Sequence, residues 1–396
     1  MPLSATEEFR AETRAWLEEN CPLGARGPGP IHSGSTKIPL TDPDTILWKE
    51  RMVEKGWTAP TWPAEYGGGG LSHEEYMVLI TEMRAIRARS PLGGMGLSLI
   101  GPTLIELGTE DQKARHIPRI VRGEVAWCQG YSEPSSGSDL ASLRTRAEDA
   151  GDHFVINGQK IWTSGAQYAD WMFALVRTDP DVPKHVGISF VLLTMDQPGV
   201  TVKPIRLISG ESPFCETFFD NAIAQKADLV GELNQGWTVG KRLLQFERGS
   251  MATLVGGAAA ADAGPTLAGD AKKYSGEENG RIRDASLRQR IASHEINDRA
   301  FRLTQRRTAQ EAADGKTPGP ATSIFKMYGT KLEQSRAQLL VEMRGSLGVG
   351  WAGDGFSPRE IGETRGFLAG RAASIYSGSN EIQRNIIAKR VLGLPD

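Results

Sequence analysis

The stretch Trp127-Cys128-Gln129-Gly130-Tyr131-Ser132-Glu133-Pro134-Ser135-Ser136-Gly137-Ser138-Asp139 gathers hydroxyls, glycine and main-chain N–H groups behind a strand-like start. A loop of this composition can hydrogen-bond a flat ring with polar edges and needs no lysine to do so. An ordinary Ser/Pro/Gly turn is the competing reading. Next, Asn157-Gly158-Gln159-Lys160-Ile161-Trp162-Thr163-Ser164 carries an indole for which a buried structural role is the plain alternative. Near the C-terminus, Ile375-Tyr376-Ser377-Gly378-Ser379-Asn380-Glu381-Ile382-Gln383-Arg384-Asn385 reads as a turn opening a helix. Gly378 permits the turn, Ser379 and Asn380 are candidate caps, and Ile382, Ile386 and Ile387 make its buried face. A helix start presents free N–H groups to ligand oxygens or phosphates. Leu244-Gln245-Phe246-Glu247-Arg248-Gly249 adds a carboxylate beside an arginine, a pair that alone reads as solvated surface.

The elements that must position these residues fall into three zones. From 1 to 123 the pattern is helical: Phe9, Thr13, Trp16 and Leu17 recur at helical spacing, as do Met77, Leu79, Ile80 and Met83. Gly67 to Gly70 breaks the zone with a loop able to take positive φ. From 124 to 236 the period becomes two. Asn157-Gly158 between strand-like runs predicts a hairpin, and Val186 to Thr194, Val200 to Ile205 and Glu216 to Phe219 predict further strands. Their lengths favour an antiparallel sheet or small barrel over βαβ units. From 237 to 396 helices return, with Val239, Leu243 and Phe246 on one face and Phe325, Tyr328, Leu332, Leu339 and Leu340 on another. Asp314 to Pro320 predicts a break between helices. The expected fold class is α+β.

Composition narrows the chemistry. The chain has 396 residues, with 46 Lys and Arg against 48 Asp and Glu, a net charge of −2. That balance draws it to neither nucleic acid nor an anionic membrane. The arginine-rich stretch from Arg281 to Arg307 has Phe301 as its single aromatic, no interleaved pattern, and reads as a solvated helix face. Cys21, Cys128 and Cys215 lie far apart and the six histidines are scattered, so neither a disulfide framework nor a metal site is expected. The charged opening residues make no signal peptide, and Ser90 to Ile105 is too short and broken to span a bilayer. A cytoplasmic location is the expectation. Gly93 to Gly96 and Gly345 to Gly350 lack the strand–loop–helix context of dinucleotide loops. Cys128 reads as a small core residue.

In order and spacing, these segments resemble the acyl-CoA dehydrogenase family. Gly130, Ser132, Glu133, Ser136, Gly137, Ser138 and Asp139 fit its first β motif, with Tyr131 standing where an aliphatic residue is usual. Asn157 to Ser164 is similar to its second. Tyr376, Gly378, Ser379, Ile382, Gln383 and Arg384 fit its C-terminal motif. The resemblance runs from Pro63-Ala64-Glu65-Tyr66-Gly67-Gly68 to the C-terminus. It implies an N-terminal helical domain (1–123), a central antiparallel β-barrel (124–236) and a C-terminal four-helix bundle (237–396). It also implies FAD as cofactor. Gln129, Tyr131, Ser132 and Ser138 would edge the flavin ring and the substrate's pantetheine arm. Trp162 would cover the ring, Ser164 would bind its edge, and Ser379 and Glu381 would lie near its phosphates and adenosine portion.

The chain departs from the commonest pattern at two places. Ser377 stands where the family's catalytic Glu is usual, and a serine hydroxyl is far too weak to abstract a proton α to a thioester. In branches resembling isovaleryl-CoA and long-chain enzymes the Glu precedes an Arg on another helix, which makes Glu247 the expected base with Arg248 beside it. Ser377 would keep a main-chain N–H for the thioester carbonyl. The second departure is the lack of an Arg-x-x-Phe-Gly segment around Ala271 to Gly280, which in the family holds the neighbouring subunit's flavin. The implied activity is α,β-dehydrogenation of an acyl-CoA to the trans-2-enoyl-CoA, with electrons passed to electron-transfer flavoprotein. The implied assembly is a homotetramer, or a heterotetramer with a related subunit. The competing class is a non-catalytic or half-site subunit of such a heteromer.

Overall fold

A computed structural model describes residues 4–246, 266–313 and 323–395, arranged as two compact units. The first comprises Met1–Ile205 and Pro213–Ser250; the second comprises Arg206–Ser212 and Met251–Asp396.

The first unit opens with helices α1 (Ala5–Asn20), α2 (Pro43–Glu54), α3 (His73–Ala85), α4 (Gly101–Leu107) and α5 (Glu110–Val121). Ser4, Ser72 and Thr109 start α1, α3 and α5 as reciprocal capping boxes with Glu7, Glu75 and Gln112. Leu17, Trp48, Met52, Trp57, Leu79 and Met83 close one core under α1 to α3. Met77, expected in that stripe, is exposed, and Val78 is buried in its place.

Strands β1 (Trp127–Gly130), β2 (Arg146–Asp149), β3 (His153–Ser164), β4 (Trp171–Arg177), β5 (Ile188–Thr194), β6 (Val200–Ile205), β7 (Phe214–Gln225) and β8 (Leu229–Val230) form one sheet in the order β6-β7-β3-β2-β4-β5-β8, with β1 against β4. The long pairings are antiparallel; β1 and β2 meet β4 in parallel. Alternate residues of β4 and β5 serve two cores, as the two-residue repeat of a strand requires. Phe173, Leu175, Phe190 and Leu192 pack with Leu104, Ile117 and Ile120 of the helices, while Met172, Ala174, Val176, Val191 and Leu193 face Phe154, Ile156, Cys215 and Phe219 across the sheet's curl. Helix α6, described over residues 236–246, buries Val239 and Leu243 in the first of these cores.

Asn157-Gly158 does not make the expected hairpin. β3 runs unbroken through it, and β7 takes an extra residue opposite, with register shifting between Ile156 and Gly158. Asn221 on β7 holds φ 56° there, its N–H donating to Asn157 Oδ1 at 2.8 Å. Gly158 has φ 145°, and a Cβ on it would lie 2.8 Å from Thr145. The glycine therefore serves a bulge and a close approach.

The second unit holds α7 (Leu267–Ser275), the hairpin β9 (Glu277–Glu278) and β10 (Arg281–Ile282), then α8 (Ala285–Ala313), α9 (Ser323–Glu342), α10 (Pro358–Ala369) and α11 (Asn380–Ile386). Here Asn279 at φ 51° and Gly280 at φ 76° do form a two-residue hairpin turn. Leu267, Ala271, Leu287, Ile291, Leu339 and Leu340 fill this unit's core. The expected break at Asp314 to Pro320 lies outside the described residues. No described helix is long and apolar enough to cross a membrane.

Arg177, at the end of β4, is 8% exposed and spends its guanidinium on main-chain carbonyls of Ala141 (2.7 Å), Leu143 (3.3 Å), Lys184 (3.0 Å) and Val186 (3.0 Å). It thereby fastens the segment after the hydroxyl-rich loop to the turn before β5. Arg177→Met should lower stability by at least about 2 kcal/mol, because each stranded carbonyl retains its desolvation cost. Arg177→Lys should rescue little of it, since an ammonium cannot span that fork. Urea midpoints measure both.

Candidate flavin and acyl-thioester site

The hydroxyl-rich loop and β3 are joined by a buried ion pair. Lys160, with no exposed surface, donates from Nζ to Glu133 Oε1 at 2.8 Å and to the Tyr131 carbonyl at 3.1 Å. Glu133 also accepts from the main-chain N–H groups of Thr145 (Oε1, 2.9 Å) and Arg144 (Oε2, 2.7 Å). Ile161 N–H donates to the Ser132 carbonyl at 2.9 Å. Burial pushes the Lys160 ammonium down to about 8, against the opposing pull of Glu133. Burial alone would raise the Glu133 carboxyl, but Lys160 and the N–H donors hold it below the usual range. Both groups thus stay charged near neutrality. Lys160 is the site residue that sequence reasoning passed over. The available signal was its place in the inward alternation set by Phe154 and Ile156.

That alternation also predicts Trp162 inside, and it is not. Between Lys160 and Thr163 three residues of β3 oppose two of β7, so the parity flips. Thr163 turns inward to bond Thr217 at 2.9 Å, and Trp162 turns out, 52% exposed with φ 61° and its ring edge-on to Phe214. A large exposed indole on a backbone that tolerates such φ poorly is a displayed side chain.

Of the other residues expected at the ring, Gln129, Ser132 and Ser164 are half-buried and Ser138 is exposed. Tyr131 differs from the expectation that it edges a ring: its side chain is buried edge-on to Phe173 and Phe190, leaving only its main chain for a ligand. Asp139, next to Ser138, pairs with Lys184 at 2.8 Å. Cys128 has no exposed surface, and burial pushes its thiol up, as befits a core residue. The donors are neutral hydroxyls and amides, Trp162 displays an exposed aromatic face, and the two lysines at this loop, Lys160 and Lys184, are already paired. This set fits a flat, uncharged, polar-edged ring such as a flavin.

In the second unit, Ser377 and Gly378 both take positive φ, 53° and 84°. The chain then enters α11, with Ser379 as N-cap accepting from Ile382 N–H. Ser377 and Glu381 are exposed, Ser379 is half-buried, and Glu381 lies 3.5 Å from Arg384. Glu247 and Arg248 lie outside the described residues. At Ala271 to Gly280, where the family's flavin-holding arginine segment is expected, α7 gives way to the Asn279-Gly280 hairpin. Among the described residues no group of three or more His, Cys, Asp or Glu is placed to hold a metal.

Lys160→Met leaves a buried carboxylate unpaired and should cost about 3–5 kcal/mol, with loss of flavin retention. Glu133→Gln, which keeps an acceptor oxygen, should cost less. A double-mutant cycle on urea midpoints should show the two effects to be non-additive.

Family models of the acyl-CoA dehydrogenase N-terminal, middle and C-terminal domains match residues 4–124, 128–222 and 234–392. Acyl-CoA dehydrogenase IpdE1 of Mycolicibacterium smegmatis is 36% identical, covering 98% of this chain and 98% of its own. The protein of that name from Mycobacterium tuberculosis is 38% identical, with 98% of each covered. Among solved structures, the Tcur3481-Tcur3483 steroid ACAD shares 30% identity and a TM-score of 0.74 over 100% of this chain and 99% of that one. The ChsE4-ChsE5 complex from Mycobacterium tuberculosis shares 27% identity and a TM-score of 0.72 over 100% of each. With its full length matched in this way, the chain belongs to the acyl-CoA dehydrogenase family of FAD-dependent oxidoreductases.

Proposed function

We propose that the chain oxidises an acyl-CoA thioester to the trans-2-enoyl-CoA, with Glu247 as base and electron-transfer flavoprotein as electron acceptor. The observation that carries this reading is the neutral donor set beside the outward-turned Trp162. It suits an uncharged ring, and the chemistry such a ring needs beside it is proton removal. Bound FAD supplies the acceptor for the β-hydride.

Everything else falls to the chain. Ser377 cannot act as base, because a hydroxyl holds its proton too tightly to be a useful acceptor near neutral pH. Glu247 takes the α-proton on its carboxylate, with Arg248 beside it in the chain. The Ser377 main-chain N–H donates to the thioester carbonyl, where negative charge grows as the proton leaves; a donor so aimed contributes about 3–4 kcal/mol. Ser138 binds the pantetheine arm. Gln129, Ser132, Ser164 and the Tyr131 main chain border the ring, and Trp162 covers it. Ser379 serves the phosphates; Glu381, as an anion, suits a ribose hydroxyl rather than a phosphate.

The substrate belongs to the branched, long-chain or sterol-derived acyl groups, a class supported by the neighbouring structure titled a steroid ACAD. A second reading, a subunit of a mixed tetramer, draws support from the hairpin at Asn279-Gly280 and from the two-component neighbours. The division at 123 and 236 belongs to the same proposal.

A panel of straight, branched and sterol side-chain CoA thioesters, scored by flavin bleaching, should find a substrate. On it Glu247→Gln should abolish turnover while Ser377→Ala costs little; the reverse ranking defeats the assignment. A colourless chain that gains flavin only with a partner selects the mixed-tetramer reading.

A further inference from the structure

Between α10 and α11 the chain passes through a short 3-10 turn, Gly370–Ser374, then Ile375 and Tyr376, and reaches the left-handed pair Ser377 and Gly378. Apolar packing does little for the residues before that pair: Ile375 is 70% exposed and Tyr376 47%. One face of α9 holds their main chain instead. Lys326, Thr330 and Gln334 stand at i, i+4 and i+8, so their side chains line up along the helix. Lys326 Nζ donates to the Ala373 carbonyl, which also accepts from Thr330 Oγ1 at 3.4 Å. Gln334 Nε2 donates to the Gly370 carbonyl at 2.9 Å and lies 3.4 Å from the Arg371 carbonyl and from the Ser374 hydroxyl. The Lys326 ammonium also sits 4.7 Å from the centre of the Tyr376 ring, a cation–π contact on the residue just before Ser377.

These contacts answer a local need. Carbonyls at the end of a helical turn find no partner further along it, and the N–H groups of Ile375 and Tyr376 both go to Ala372, at 2.8 and 3.1 Å. Ala373 is buried, so its carbonyl depends on α9 rather than on solvent. The anchor is firm, because α9 buries Leu332, Leu339 and Leu340. On the far side of the turn, Ser379 caps α11. Ser377 and Gly378 are therefore held by a capped helix after them and by the α9 side chains before them.

We propose that Lys326, backed by Thr330 and Gln334, is a positioning residue that fixes the Ser377–Gly378 turn and so aims the Ser377 main-chain N–H at the thioester carbonyl. The inference rests on the reading of that N–H as the carbonyl's donor. A donor stabilises growing charge only while it points at the oxygen, so a loosened turn is felt as rate before it is felt as binding.

The test compares wild type, Lys326→Met and Gln334→Leu as flavin-loaded assemblies. Flavin bleaching is driven by whichever of butyryl-, isovaleryl-, octanoyl- and palmitoyl-CoA reacts fastest with wild type. Amide hydrogen exchange is followed in peptides covering residues 370–380. The infrared stretch of the matching enoyl-CoA, isotope-labelled at its carbonyl, reports the donor itself, since hydrogen bonding lowers it. Lys326→Met should slow bleaching about 10–100-fold with KM near wild type. It should also speed exchange about tenfold and return the bound stretch toward that of free enoyl-CoA. Gln334→Leu should slow bleaching about threefold, in the same direction on every readout, and keeps the test decisive if Lys326→Met fails to assemble. Wild-type bleaching and exchange in the variants, or bleaching lost only in step with flavin content, overturns the inference. A stretch that falls on binding to wild type and stays as low in Lys326→Met overturns the positioning role alone. A stretch that does not fall in wild type removes the donor reading, and the inference with it.

Discussion

The Lys160–Glu133 pair is the contact on which the proposed flavin-facing surface depends. A lysine without exposed surface is costly unless every donor has a destination, and here the destinations are the opposite motif: a carboxylate oxygen and the carbonyl of Tyr131. Glu133 in turn gathers the main chain at Arg144 and Thr145, and Arg177 ties the next carbonyls along. Two segments some thirty residues apart thus become one rigid border. Because Lys160 is consumed internally and the exposed Asp139 is paired with Lys184, the hydroxyls of the loop and the Trp162 indole are what it offers a ring.

A second constraint is parity. In a strand, one extra residue exchanges the faces of everything beyond it. The bulge between Lys160 and Thr163 sends a threonine inward and an indole outward, and φ 61° at Trp162 is its local cost. The bulge opposite Asn157-Gly158 falls on β7 instead, where Asn221 absorbs the positive φ. The same Asn-Gly dipeptide closes a true hairpin at 279–280, where both residues adopt positive φ. Dipeptide chemistry permits either outcome; the partner strand selects one.

The replacement of carboxylate by hydroxyl at Ser377 moves a requirement elsewhere in the chain. Ser377 and Gly378 form a turn of two successive left-handed residues, a conformation that Ser379 then caps into α11. The main chain there is shaped for a helix entry whatever side chain it carries. Proton abstraction needs a carboxylate, and Glu247, just past the described residues of α6 in sequence, is the one to which the family resemblance points.

Much was legible in the sequence. The helical, β, helical order, the motif residues from Gly130 to Asp139, the cap at Ser379 and the family itself all follow from residue type and spacing, which are local properties of the chain. Tertiary structure decided the rest. That Lys160 is buried, that Tyr131 turns its ring into the core, that Trp162 faces out and that Lys326 reaches the Ala373 carbonyl across 47 positions are outcomes of long-range pairing. Periodicity assigns a side chain to a face only while the register holds; at a bulge or between distant helices, the partner's position determines the answer.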